Sequence, residues 1–129
     1  MSTALKQRPI AIVDDDESLQ AALRDLIESA GLSTACFSSA QQFLDSGARH
    51  YAACLITDMR MPGMSGLDIQ SKLLAEGCQI PIIFMTAYGD TEMRNLAMSK
   101  GAAGFLSKPF SDTALLDIIC ITLQLPEDD

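Results

Sequence analysis

Ala53-Cys54-Leu55-Ile56-Thr57-Asp58 runs directly into Met59-Arg60-Met61-Pro62-Gly63-Met64-Ser65-Gly66, and this junction decides the fold. The first half is continuously apolar rather than alternating, the pattern of a strand covered on both faces. It ends on a carboxylate, and the Pro-Gly and Ser-Gly pairs that follow break regular structure before a new helix can start. A strand buried on two sides needs crossover helices on two sides, so this stretch predicts a parallel sheet.

Three more apolar runs end on polar groups. Ile10-Ala11-Ile12-Val13 meets the acidic cluster Asp14-Asp15-Asp16-Glu17, Ile82-Ile83-Phe84-Met85 closes on Thr86, and Gly104-Phe105-Leu106-Ser107 precedes Lys108-Pro109. The spacing predicts five strands, at Ile10–Val13, Ser33–Phe37, Ala53–Thr57, Ile82–Thr86 and Gly104–Ser107. Five helical segments alternate with them. The first carries Leu19, Leu23, Leu26, Ile27 and Ala30 at helical spacing and stops at Gly31. Ser39–Ser46, Ser65–Glu76, Asp90–Lys100 and Ser111–Leu123 supply the rest, with Ser39, Ser65, Asp90 and Ser111 as expected N-caps and Asp16 and Glu17 as a solvated first turn.

The expectation is a doubly wound α/β domain, a five-stranded parallel sheet of flavodoxin-like order 2-1-3-4-5 with five flanking helices. Residues 9–124 form it, with 1–8 a tail and 125–129 a tail or the start of an interdomain linker. In such sheets ligands sit beyond the carboxyl ends of the strands, where Asp14, Asp15, Asp58 and Thr86 all fall.

Composition narrows the function. The 129 residues fit one domain, and 48% hydrophobic content argues for a packed core. A formal charge of −8 disfavours direct contact with nucleic acid. No span is apolar enough to cross a bilayer and the N-terminus lacks a signal-peptide core, so a cytoplasmic protein without membrane contact is expected. Cys36, Cys54, Cys78 and Cys120 have no paired spacing and are expected as buried small hydrophobes. His50 reads as a surface loop residue.

Val13-Asp14-Asp15, Asp58 with Met61-Pro62-Gly63-Met64-Ser65-Gly66, Met85-Thr86-Ala87 and Lys108-Pro109-Phe110 together resemble the CheY-like receiver domain of two-component response regulators, over Pro9 to Leu123. Asp58 to Gly66 and Met85-Thr86-Ala87-Tyr88-Gly89-Asp90 are most similar to receivers of the FixJ type, which usually precede a helix-turn-helix output domain.

The resemblance implies that Asp58 accepts a phosphoryl group from a partner histidine kinase or from acetyl phosphate. Asp15, Asp58 and the Arg60 main-chain carbonyl bind Mg2+, with Mn2+ able to substitute, and Asp14 acts largely through water. Lys108, before a cis Lys108–Pro109 bond, and Thr86 hold the transferred group. Thr86 and the aromatic Phe105 form the switch, and Arg60 and Tyr88 tune the phosphoryl lifetime. Such a module is a signalling switch rather than an enzyme, with only slow self-phosphorylation and self-dephosphorylation. It regulates transcription through dimerisation by the surface of the fourth helix, fifth strand and fifth helix.

The residues fit that chemistry independently. Phosphoryl transfer needs an in-line nucleophile, a cation to neutralise oxygens and donors to hold them. Two carboxylates about 5 Å apart at an effective dielectric of about 20 repel by about 3 kcal/mol, which a hard cation relieves. Two other readings stay open on the sequence. One is a stand-alone chemotaxis-type adaptor. The other is a haloacid-dehalogenase-like phosphatase, whose paired acids two apart on the first strand Asp14 and Asp16 imitate.

Overall fold

The computed structural model describes residues 8–87 and 90–124. Five parallel strands form one sheet in the order β2-β1-β3-β4-β5: β1 (Ile10–Val13), β2 (Thr34–Phe37), β3 (Cys54–Asp58), β4 (Ile82–Thr86) and β5 (Gly104–Ser107). The helices are α1 (Glu17–Ser29), α2 (Ala40–Ser46), α3 (Gly66–Ala75), α4 (Thr91–Ser99) and α5 (Asp112–Leu123), with a single 3-10 turn at Ala48–His50. The expected elements are all present. β3 extends one residue further than its apolar run, so Asp58 itself pairs with Met85 in the sheet.

Side chains alternate across the sheet and create two cores. Ile10, Ile12, Ile56, Ile83 and Met85 face α1 and α5, where Leu23, Ile27, Leu115 and Ile119 meet them. Ala11, Val13, Leu55 and Phe84 face the other way, against Phe43 of α2, Ile69 and Leu73 of α3 and Ala97 of α4. β1, β3 and β4 are covered on both faces, which explains their continuous apolar character. Each fully buried Ile or Leu contributes about 1.5–3 kcal/mol relative to exposure. Cys54 belongs to the first core, and burial pushes its thiol up to about 12. Cys36, Cys78 and Cys120 are only half-buried.

Four helix starts hold their caps. Ser39, Ser65 and Ser111 accept from backbone N–H groups three residues on, and Ser65 forms a full capping box with Asp68. Asp16 and Glu17 are both exposed at the start of α1, as expected, and Asp16 Oδ1 accepts from the Ser18 and Leu19 N–H groups and caps the helix. Asp90 occupies the N-cap position of α4 but makes no side-chain cap bond. Its carboxylate is engaged elsewhere, as described below. Gly31 ends α1 at φ +90°, a left-handed conformation that glycine reaches without strain. Among the described residues no helix is long and apolar enough to cross a membrane.

Gly66 is required for a different reason. It begins α3 directly behind the Asp58 end of β3, and a Cβ there would lie 2.5 Å from the Asp58 carbonyl oxygen and 3.1 Å from Phe84 Cε1. The neighbour is backbone, which cannot rotate away. Gly66→Ala is therefore expected to destabilise the domain by about 3 kcal/mol through forced separation of α3 from β3, read as a lowered urea midpoint. An unchanged midpoint would show that the helix start can shift freely.

Candidate functional site

Parallel register gathers the polar strand ends at one edge. Val13 pairs with Thr57, so Asp14 emerges level with Asp58, and Thr86 pairs with Ser107, so Lys108 emerges just beyond Thr86. The Lys108 N–H donates to the Thr86 carbonyl at 2.8 Å and extends the ladder by one bond. The Lys108–Pro109 bond is cis, as the family resemblance implies.

Asp14, Asp15 and Asp58 each offer a carboxylate oxygen, and these oxygens lie within 4.8 Å of one another. Asp14 is fully buried, Asp58 half-buried and Asp15 exposed. Asp14 Oδ1 accepts from the Asp16 N–H at 2.8 Å, while the buried Oδ2 has no hydrogen-bond partner. A buried carboxylate oxygen without a donor, beside two further carboxylates, suits a hard divalent cation. The donor set is all oxygen and small, as Mg2+ requires.

Lys108 Nζ donates to Asp58 Oδ2 at 2.8 Å and stands 3.7 Å from Asp14 Oδ2. Burial works to lower the lysine's affinity for its proton, but the hydrogen bond and charge of Asp58, helped by Asp14, win and hold it above the ordinary lysine range. The ammonium is therefore kept charged, and its electrostatic support is lost only as pH rises through that elevated range. Burial holds the Asp14 carboxyl above the ordinary carboxylate range. The Asp16 N–H and Lys108 oppose this, and Asp58 and Asp15 add to it.

The site rests on partners that sequence spacing did not reveal. Gln20 on α1 is buried, and its Nε2 donates to the Asp14 carbonyl at 2.6 Å, to the Phe37 carbonyl at 3.1 Å and to Ser38 Oγ at 3.1 Å. That ties the ends of β1 and β2 to one helix. The signal was a polar residue within the apolar stripe of α1. Arg60 donates through its N–H to Asp58 Oδ1 at 3.2 Å and through Nε to Asp90 Oδ1 at 2.6 Å. Asp90 Oδ2 accepts from the Ala87 N–H at 2.8 Å. Burial would raise the Asp90 carboxyl, but the Ala87 hydrogen bond and Arg60 outweigh it and hold the group below its usual range.

Thr86 is 2% exposed at the end of β4. It borders a cavity of about 490 Å³ shared with Ala87, Asp90, Thr91, Arg94, Ser107 and Lys108. Phe105 on β5 is half-buried, stacks on Phe84 with centroids 6.0 Å apart and lies 4.9 Å beneath the Arg94 guanidinium carbon. Asp14, Asp15, Asp58, Arg60, Thr86 and Lys108 thus converge, with Phe105 alongside. Tyr88 lies outside the described residues. Asp16, whose spacing from Asp14 imitates a phosphatase pair, has its carboxylate on the α1 cap and not in this cluster.

The response regulator receiver domain model matches residues 10–120. The response regulator protein TodT of Pseudomonas putida is 48% identical over 116 residues, covering 90% of this chain and 51% of TodT. The transcriptional regulatory protein FixJ of Azorhizobium caulinodans is 41% identical over 115 residues, covering 89% and 54%. The crystal structure of FixJ-N superimposes with a TM-score of 0.84 at 32% identity, covering 95% of this chain and 98% of that one. The chain spans about half the length of the curated relatives it matches.

One consequence of the crowded carboxylates is measurable without any ligand. Because the Asp14 carboxyl is held above its usual range, the native state binds protons that the unfolded chain has released, and stability falls as pH rises through that window. Asp14→Asn should melt a few degrees higher than wild type at neutral pH in chelator, and lose less stability between about pH 4 and pH 7. A lower melting temperature for the variant across that range would contradict the sign.

Proposed function

The chain belongs to the response regulator receiver domain family of two-component signalling, and from that premise we propose that Asp58 is its phosphoryl acceptor, supported by Mg2+. The observation that carries this reading is the Lys108 ammonium 2.8 Å from Asp58 Oδ2, beside three carboxylates whose oxygens lie within 4.8 Å. An Asp58 oxygen attacks the donor phosphorus in line. The bond to phosphorus forms as the bond to the phosphohistidine nitrogen or the acetyl oxygen breaks, and the electron pair leaves with the donor.

Asp14, Asp15, Asp58 and the Arg60 main-chain carbonyl are the residues proposed to hold the ion. When bound, Mg2+ neutralises charge on the phosphoryl oxygens and offsets the carboxylate repulsion. Lys108 supplies a fixed point charge, and the Thr86 hydroxyl, beside open space, can donate to a phosphoryl oxygen. Thr86 and Phe105 form the proposed bistable pair, since Phe105 borders both its stacked partner Phe84 and a smaller cavity with Thr91, Arg94, Asn95 and Met98. A few kcal/mol of preference for one arrangement suffices to switch it.

The output surface is α4, β5 and α5. Met98 on α4 and Ile121 on α5 are 58% and 73% exposed, large apolar side chains free to enter a contact. Phosphorylation-dependent homodimerisation through this face, with a histidine kinase as donor and a DNA-binding domain as recipient of the signal, is the proposed regulatory circuit. The length of the curated relatives favours such an output over a stand-alone adaptor. Arg60 and Tyr88 are proposed to slow hydrolysis of the acyl phosphate. The proposed catalysis is confined to self-phosphorylation and slow self-dephosphorylation, in a cytoplasmic setting.

Intact mass after incubation with acetyl phosphate and Mg2+ tests the acceptor. Wild type should gain one phosphoryl group and Asp58→Asn none, with a shift of elution volume toward a dimer in the modified sample only. No adduct on a folded wild type would demote the chain to a receiver that signals without phosphate. Asp15→Asn should abolish Mg2+-dependent modification while leaving metal-free stability unchanged or raised, because it removes one repelling charge. Normal modification with reduced stability would remove Asp15 from the metal site.

A further inference from the structure

Asp90 stands at the start of α4 in a geometry unlike the other predicted caps. Ser39, Ser65 and Ser111 have extended backbone, with ψ between 160° and 174°, and bond the N–H groups of their own helices. Asp90 has ψ 18° and bonds none of its helix's N–H groups through its side chain. Both carboxylate oxygens turn back toward the strand ends instead, Oδ2 to the Ala87 N–H at 2.8 Å and Oδ1 to Arg60 Nε at 2.6 Å. The carboxylate is 3% exposed and the arginine that serves it 62% exposed.

Those two donors belong to residues flanking the acceptor site. Ala87 directly follows Thr86, and Arg60 follows Asp58 by two positions with its N–H on Asp58 Oδ1. Asp90, Ala87, Thr86 and Lys108 line one cavity. A phosphoryl group arriving on Asp58 would bring close to two negative charges and three strong acceptor oxygens into the neighbourhood. It would repel the Asp90 carboxylate and compete with it for the same N–H and guanidinium, which bind phosphate readily.

We propose that Asp90 is a positioning residue that stands in for the phosphoryl group in the resting protein, latching Arg60 and the Ala87 N–H until modification of Asp58 displaces it. This rests on the acceptor reading given above and adds to it the element that opposes modification. The latch stabilises only the unmodified arrangement, so its strength subtracts from the population that phosphorylation can recruit. On release, Arg60 is free to turn toward the acyl phosphate, and the Ala87 N–H is free to follow Thr86. The switch is thereby tied to the site through a charge exchange as well as through packing around Phe105.

The test compares wild type, Asp90→Asn, Arg60→Gln and the double variant, using acetyl phosphate at saturating Mg2+. The readouts are adduct formation by intact mass, adduct half-life after donor removal, the Ala87 amide proton shift in the unmodified protein, and thermal midpoint. Asp90→Asn keeps the shape and removes the charge. It should be modified about threefold to tenfold faster than wild type, with a longer-lived adduct and a shifted Ala87 amide before any donor is added. That gain should shrink in the Arg60→Gln background, because half of the latch is already absent. A residue with only a structural role would lower the thermal midpoint and leave modification rates unchanged, and that result overturns the proposal. An equal gain with and without Arg60 also overturns it. If Asp90→Asn fails to fold, Asp90→Ser, which keeps a helix-start side chain, takes its place with the same expectations. No adduct on wild type defeats the acceptor reading and this inference together. An adduct on wild type with Asp90 variants indistinguishable from it defeats this inference alone.

Discussion

The Lys108 ammonium, 2.8 Å from Asp58 Oδ2 and 3.7 Å from Asp14 Oδ2, is the charge around which the strand-end edge of the molecule is arranged. Three carboxylates within 4.8 Å repel one another, and one of them is fully buried. A single fixed cation relieves part of that repulsion, but burial, with smaller additions from Asp58 and Asp15, still holds the Asp14 carboxyl above its usual range. Incomplete compensation suits a divalent ion, because a cluster fully neutralised by protein would offer a metal little. The proposed function draws on a site kept short of its electrostatic optimum.

Several contacts hold that compromise in place from behind. Gly66 lets α3 start against the Asp58 carbonyl, where any side chain would collide with backbone. Gln20 brings its amide to the Asp14 carbonyl, the Phe37 carbonyl and Ser38, so that the ends of β1 and β2 and helix α1 move as one. The Lys108 N–H bonded to the Thr86 carbonyl fixes the lysine stem to β4. The strand ends of the sheet thus carry the clustered carboxylates Asp14 and Asp58, while Asp90 at the start of α4 carries the contacts to Arg60 and Ala87. A switch of the kind proposed needs such a division, since a stored preference must be released at one place without loosening the rest.

Charge and packing meet at the start of α4. Arg94 on that helix covers Phe105, which in turn stacks on Phe84 of the second core. Asp90, at the same helix start, reaches both Ala87 and Arg60. One short helix therefore contacts the site edge through the Asp90 carboxylate and the second core through Arg94 over the Phe105 ring. The same helix carries Leu96 and Met98 as exposed apolar groups.

How much of this was legible in the sequence follows from the range of the forces involved. Continuous apolar runs in β1, β3 and β4 specified a sheet buried on both faces, and period and cap residues placed the five helices, because those signals are local. Parallel pairing then forced Asp14, Asp58, Thr86 and Lys108 to one edge, so the convergence of the reactive groups was also readable. What spacing could not reveal were contacts between residues far apart in the chain whose side chains had local alternatives. Asp90 looked like a helix cap, and only the folded positions of Arg60 and Ala87, 30 and 3 residues away, drew its oxygens elsewhere. The sequence by itself determined the sheet, its reactive edge and the chemistry gathered there, through hydrophobic patterning and strand register. The tertiary structure alone decided which donor each carboxylate receives, because a charged group chooses among partners by distance and burial, and both exist only once the chain has folded.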